Sequence, residues 1–284
     1  MPKQKIHKEG ICIQGYEGSF HQVAARYFFG KTVEVIPCAS FRELVKLSSD
    51  ASLSAGAVMA IENSIAGSIL PNYNLLLKSN LQVIGEVYLS ISQNLMVNKG
   101  VQLSDIKEVH SHPMAILQCL DYLEKQHWKL IETDDTALSA KQVQQHKSKH
   151  IAAIASKFAA ELFDLKIIAP DIQTQNTNIT RFLVLQRAKE VQAVLDANKA
   201  SVYFQTNHSK GILSQVLTAI ANENINLSKL QSMPIPGSNF KYGFFADMEF
   251  DQKADFTNML KSIDSMTNNV TIFGIYQKGK LVKG

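Results

Sequence analysis

Ala57-Val58-Met59-Ala60-Ile61 runs straight into Glu62-Asn63-Ser64. Five apolar residues without alternation mark a strand buried on both faces, as in a parallel sheet covered by helices. The abrupt change to polar residues falls at the strand's C-terminal end, where open α/β sheets bind ligands. Glu62, Asn63 and Ser64 are therefore candidate site residues. The alternative is local: Ser64 caps the following helix and Glu62 closes a structural hydrogen bond. Outward from this strand, short apolar runs alternate with helical patterns from Ile11 to about Leu185. That alternation predicts an α/β domain with a largely parallel sheet.

On the N-terminal side, Ile11-Cys12-Ile13 leads into Gly15-Tyr16-Glu17-Gly18-Ser19-Phe20 and a helix through Ala24, Ala25 and Phe28. The glycines permit a tight turn, the helix start offers N–H groups to an anion, and Ser19 either caps the helix or touches the ligand. The loop lacks the third glycine of a dinucleotide fingerprint and the Lys-Ser/Thr of a phosphate loop. Leu81 to Val97 is a β-like run long enough to cross from one lobe to another. Val109-His110-Ser111-His112-Pro113 turns a strand into a helix, with Pro113 in its first turn and Ser111 or His112 at its cap. The two histidines have no companion ligands at metal spacing, so no metal site is expected. Asp134-Asp135-Thr136-Ala137 opens a helix with acids at its favourable end and reads as structural.

A polar stretch from Gln173 leads to Asn178-Ile179-Thr180-Arg181-Phe182 and the apolar strand Leu183-Val184-Leu185. Here Thr180 and Arg181 are expected to face a cleft, with Phe182 and Val184 anchored in the core. A capped turn and a surface ion pair are the alternative for Thr180 and Arg181.

The 284 residues, 45% hydrophobic and 19% charged, suit about two domains. A net charge of +4, from 29 basic and 25 acidic residues without a dense basic run, fits a small anionic substrate and argues against nucleic acid. Cys12, Cys38 and Cys119 share no CxxC spacing, which predicts three reduced, buried thiols in a cytoplasmic protein. Met1 to Gly10 lacks the apolar core of a signal peptide, and no apolar run approaches the roughly 20 residues of a membrane span. Gln186 to Lys199 reads as a junction. Beyond it the order is strand, helix, strand, strand, helix, strand, with Ile212, Val216 and Ile220 on one helix's buried face and Phe256, Met259, Leu260 and Ile263 on the other's. This βαββαβ order is ferredoxin-like.

Taken together, these pieces closely resemble prephenate dehydratase followed by a regulatory ACT domain. The carriers are Gly15–Phe20 with Ala24-Ala25, Glu62-Asn63-Ser64 with Gly67-Ser68, Ser111-His112-Pro113 with Gln118-Cys119, Asp135-Thr136-Ala137, Ala152–Ser156 and Asn178–Phe182. The resemblance covers nearly the whole chain. It implies a two-lobed catalytic domain like a periplasmic binding protein over about residues 10–188, with lobe 1 at about 10–88 plus 176–188 and lobe 2 at about 89–175. A linker at about 189–199 and an ACT domain at about 200–280 follow. No N-terminal segment of the kind that carries chorismate mutase is seen, so the chain looks like the single-activity form.

The implied chemistry is loss of CO2 and water from prephenate to give phenylpyruvate in phenylalanine biosynthesis. By resemblance Thr180 is the essential residue, placed to give a proton or hydrogen bond to the departing hydroxide. Arg181 would hold a carboxylate or fix the loop by an ion pair. Asn178, Asn63, Ser64 and Ser19 would supply neutral hydrogen bonds, with Phe182 packed beneath and Glu62 among the binding residues. No step calls for a metal, flavin or nicotinamide. ACT domains commonly pair across subunits, which implies a homodimer or homotetramer, and in this family they bind phenylalanine. The family's Gly-Ala-Leu-Val and Glu-Ser-Arg-Pro motifs are replaced here by Gly211-Ile212-Leu213-Ser214 and Gln231-Ser232-Met233-Pro234. Phenylalanine inhibition is expected even so. Asp164 stands where relatives often carry glycine at a helix end. The rival readings are the same reaction on arogenate and a non-enzymatic two-lobed binding protein.

Overall fold

The computed structural model describes residues 9–175, 177–207, 209–235, 237–238 and 241–284; Lys3, Lys5, Lys8 and Asn176 lie outside the described residues. The described residues form a mixed α/β fold with three sheets, and the chain divides into two compact units. The first unit comprises the chain to Ile69, Val87–Val184 and Lys280–Gly284; the second comprises Leu70–Glu86 and Leu185–Gly279.

The first unit begins with β1 (Ile11–Gln14), α1 (Phe20–Phe29), β2 (Val35–Cys38), α2 (Phe41–Ser48), β3 (Gly56–Asn63) and the short β4 (Gly67–Ser68). Ser19 caps α1 and Ser40 caps α2, each accepting from a backbone N–H three residues on. α3 (Leu70–Leu77) precedes β5 (Leu81–Ser90), and much later come β11 (Ile179–Arg187) and β16 (Leu281–Lys283). These strands form one sheet in the order β16-β5-β11-β3-β1-β2, with β1 parallel to both β2 and β3. The first six residues of β3 are all buried, as expected of a strand covered on both faces.

The second sheet takes β6 (Asn94–Val97), β7 (Glu108–Ser111), β8 (Lys129–Glu132), β9 (Ile151–Ala155) and β10 (Lys166–Ala169) in the order β10-β6-β9-β7-β8. Between its strands run α4 (Pro113–Gln118), α5 (Leu120–Leu123), α6 (Thr136–Gln145) and α7 (Lys157–Leu162). Successive residues point to opposite faces. Thus Val109, Ala152 and Ile154 pack with Ile116 and Cys119, while Met96, Ala153 and Ala155 pack with Ala137, Ala140 and Ala159.

The chain passes between these two sheets twice, at Ile91–Gln93 and again after β10. The crossings are bonded to each other: Ile91 N donates to Asn178 O at 2.8 Å and Ile172 N to Gln93 O at 2.9 Å.

The second unit holds β12 (Lys199–Thr206), α8 (Ile212–Asn222), β13 (Asn226–Pro234), β14 (Tyr242–Glu249), α9 (Lys253–Ile263) and β15 (Thr267–Tyr276). Its antiparallel sheet runs β13-β14-β12-β15. Val216 and Ile220 of α8 and Phe256, Met259 and Ile263 of α9 are buried against Val202, Phe204, Ala246 and Met248.

The two units interleave along the chain. Leu70–Glu86 clusters with the C-terminal residues, where the Tyr73 and Phe245 rings meet at a tilt with centroids 4.8 Å apart and Glu86 pairs with Lys199 at 3.0 Å. The last residues return to the first sheet, where β16 runs parallel to β5, an edge addition made by backbone and invisible to side-chain patterning. Among the described residues no helix is long and apolar enough to cross a membrane, and the three cysteines are buried free thiols.

Candidate active site

A cavity of about 260 Å³ opens in the first unit between its two sheets. It is walled by the end of β1 (Gln14), the start of α1 (Ser19, Phe20, His21), β3 (Ala60, Asn63) and the crossing residues Ile91 and Gln93. The remaining wall comes from α4 with its cap (His112, Met114, Ala115, Gln118), the start of α6 (Asp134, Asp135, Thr136), and Asn178, Thr180 and Phe182. Much of the wall comes from strand and helix ends, where open α/β sheets place ligands.

A chain of amides organises one wall. The backbone N–H groups of Ile65 and Ala66 donate to Asn63 Oδ1 at 3.0 and 2.9 Å. Asn63 Nδ2 must then be the other end of that amide, and it donates to Asn178 Oδ1 at 2.6 Å and Thr180 Oγ1 at 3.0 Å. Asn178 Nδ2 donates in turn to Gln118 Oε1 at 3.0 Å. Because Thr180 Oγ1 accepts from Asn63, its own proton is left to point elsewhere.

The opposite wall is built by helix caps. Asp135 caps α6, its Oδ1 accepting from Leu138 N at 2.9 Å. Burial raises its pKa above the usual carboxylate range, opposed by N–H groups of Leu138, Ala137 and Tyr16 and by the nearby His112. Gly15, at φ +91, has to be glycine, since a side chain there would collide with Asp135 Oδ2. Ser156 caps α7 and donates its hydroxyl to Gly18 O at 2.8 Å, so the loop after β1 is held by caps of two helices beneath the second sheet. His21 stands edge-on to Phe182 at 4.9 Å and accepts from Ala60 N at its Nε2. Burial lowers its pKa to about 3, which keeps it neutral.

Of the residues singled out by sequence, Ser19, Asn63, Asn178, Thr180 and Phe182 come together on this cavity. Glu62, Ser64 and Arg181 are not among its lining residues. Strand alternation explains two of these: Thr180 and Phe182 share one face of β11, so Arg181 points to the other, while Phe182, 1% exposed, is in the core as expected and also borders the cavity. Arg181 is 4% exposed, with its guanidinium 5.8 Å from the ring centre of Tyr88. Glu62 precedes Asn63 on β3 and takes the opposite side. Ser64 caps no helix; it accepts from Ile179 N and donates to Thr177 O, stitching β3 to the loop before β11. His112 is the helix cap that sequence allowed, accepting from Met114 N.

Gln14, His21, Gln93, Asp134, Asp135 and Thr136 were missed as lining residues. Gln14 ends β1, His21 lies in the first turn of α1, Asp134, Asp135 and Thr136 lead into α6, and Gln93 lies on the crossing between β5 and β6. In the second unit, Gly211 precedes α8 with φ +78, Ile212 and Leu213 open that helix, and Gln231, Ser232, Met233 and Pro234 end the edge strand β13.

A concave cavity lined by a few convergent polar groups has the form of a small-molecule binding site. The prephenate dehydratase family model matches residues 11–190, and the chain belongs to this family of hydro-lyases. The arogenate dehydratase/prephenate dehydratase 2 of Arabidopsis thaliana is 33% identical over 276 residues, covering 94% of this chain and 72% of the relative. Among solved structures, one described as a novel type of quorum quenching acylase has a TM-score of 0.84 at 26% identity, covering 94% of this chain and 97% of its own. A prephenate dehydratase from Arthrobacter aurescens, solved in complex with L-Phe, shares the fold with a TM-score of 0.82 at 23% identity, covering 94% and 90%.

Proposed function

We propose that this cavity performs the decarboxylating dehydration of prephenate to phenylpyruvate, with Thr180 delivering a proton to the departing ring hydroxyl. The observation that carries the reading is the 3.0 Å contact in which Thr180 Oγ1 accepts from Asn63. As the C–CO2 bond breaks, its electron pair enters the ring and the C4–O bond breaks; the oxygen leaves as water once protonated. Hydroxide is the poor leaving group, so a donor held at that oxygen is the group the reaction needs. A threonine hydroxyl is a weak acid, and much of its effect is orientation within the amide network. Phe182 and His21 supply an apolar, uncharged floor for the ring.

The two-sheet first unit, joined by two crossings, supports a two-lobed catalytic domain like a periplasmic binding protein. The βαββαβ order and β13-β14-β12-β15 sheet support an ACT domain of ferredoxin-like form. In this reading phenylalanine binds near Gly211, Ile212 and Leu213 and the strand end Gln231–Pro234, inhibits the enzyme, and acts on a cytoplasmic homodimer or homotetramer paired through these domains. The L-Phe complex of the Arthrobacter aurescens enzyme supports that ligand. Arogenate is the second substrate reading, supported by the name of the Arabidopsis relative. For acyl transfer the cavity's Ser19 has no basic side chain hydrogen-bonded to its hydroxyl among the described residues, so an activated nucleophile is missing. Conversion of prephenate and of arogenate by the purified chain, with and without phenylalanine, tests the reading; failure to turn over either substrate contradicts it.

A further inference from the structure

Gln93 lines the cavity on the crossing between β5 and β6 and is 4% exposed. Its Oε1 is buried and has no hydrogen-bond partner among the described residues. The orientation of this amide follows from its neighbours. Backbone N–H groups can only donate, so Ile65 and Ala66 fix Asn63 Oδ1 as acceptor. Asn63 then donates to Asn178, and Asn178 donates to Gln118 Oε1. The group of Gln93 that meets Gln118 Oε1, at 3.4 Å, is therefore Nε2. Turning any one amide around would set donor against donor or acceptor against acceptor. The last acceptor in the series, Gln93 Oε1, is left without a protein donor among the described residues, on a side chain that lines the cavity.

A buried acceptor selects a ligand donor, because leaving it unpaired forfeits its hydrogen bond to water. This inference rests on the dehydratase reading above. The two candidate substrates share a ring hydroxyl and two carboxylates and differ at one side-chain group. Prephenate has a keto oxygen there, which only accepts; arogenate has an ammonium, which only donates. The charged lining points the same way: Asp134 and Asp135 are on the wall, and among the lining residues there is no Lys or Arg. A cavity of that sign favours the substrate with the less negative charge.

We propose that Gln93 is a specificity-determining residue that accepts from the side-chain ammonium of arogenate through Oε1. It thereby shifts the preference of the cavity towards the amino-bearing substrate.

The test is kcat/KM for arogenate and prephenate with the full chain and its Gln93→Met variant, alongside thermal melting to confirm folding. Methionine keeps the length of the side chain and removes the acceptor. The arogenate-to-prephenate ratio is expected to fall roughly tenfold or more, through loss on arogenate. If Gln93→Met does not fold, Gln118→Met leaves Gln93 in place and removes the acceptor that orients it; the same ratio should fall by a smaller factor. An unchanged ratio, or equal loss on both substrates, overturns the assignment. Absence of turnover of both substrates by the wild-type chain overturns the dehydratase reading itself, and this inference with it.

Discussion

Asn63 Nδ2 lies 3.0 Å from Thr180 Oγ1, and an amide nitrogen only donates, so the threonine is the acceptor in that contact. The same Asn63 side chain is fixed from behind by two backbone N–H groups, so the Thr180 proton is turned away from Asn63. Catalysis by a weak acid depends on such placement more than on acidity.

Reversing the sense of this contact is the sharpest way to probe it. Asn63→Asp replaces the donor with an acceptor, which draws the Thr180 proton away from the cavity. Steady-state kinetics should show kcat reduced by about 10²-fold or more with a smaller change in KM. A change confined to KM would place Asn63 in binding alone.

His21 makes stability sensitive to acid. Its folded pKa of about 3 lies below the ordinary value near 6.5, so the unfolded chain takes up a proton that the folded chain refuses. Its contribution is complete above about pH 6.5 and is lost progressively as pH falls towards 3. Asp135, whose pKa burial raises, works in the opposite sense: its contribution is present at low pH and is lost as pH rises through its own titration. Melting temperatures of wild type and His21→Gln between about pH 7 and 4.5 should diverge, with the variant losing less on acidification. Parallel curves would contradict this assignment.

Lys199 and Glu86, 1% and 3% exposed, form a pair with Nζ–Oε distances of 3.0 and 3.1 Å, and Gly279 N also donates to Glu86. Removing one partner strands a buried charge. Lys199→Met should lower unfolding free energy by roughly 3–5 kcal/mol in denaturant titration, and the double change with Glu86→Gln should recover part of it. A loss below about 1 kcal/mol would show that water reaches the site.

Asp164 follows α7 with φ +53, and the bonds Leu165 N to Ala160 O and Asp164 N to Glu161 O complete a left-handed helix end. Asp164→Gly should raise stability by several tenths of a kcal/mol, because glycine carries no steric cost at positive φ and the exposed ion pair with Lys99 is worth little. A drop in melting temperature would mean that the ion pair outweighs the strain.

Much of this was legible in residue order. The apolar run of β3, the Pro113 helix start, the faces of α8 and α9 and the positive-φ helix end at Asp164 all rest on local rules that tertiary structure left intact. Period two on β11 puts Thr180 with Phe182 on one face and Arg181 on the other, away from the cavity lining. The part played by Gln93, His21 and Asp135 was hidden for another reason. Each comes from a different element end, and only the packing of the two sheets brings them to one cavity. Leu281–Lys283 joins the first sheet through backbone bonds, which carry no side-chain signature.

Phenylpyruvate formation from prephenate by the purified chain, with Thr180→Val measured beside it, tests the central claim most directly. Valine keeps the shape of threonine and removes the hydroxyl. The expected result is turnover by wild type and a kcat lower by about 10²–10⁴-fold in the variant, with melting temperature little changed. Equal turnover by both proteins would contradict the role assigned to the Thr180 proton.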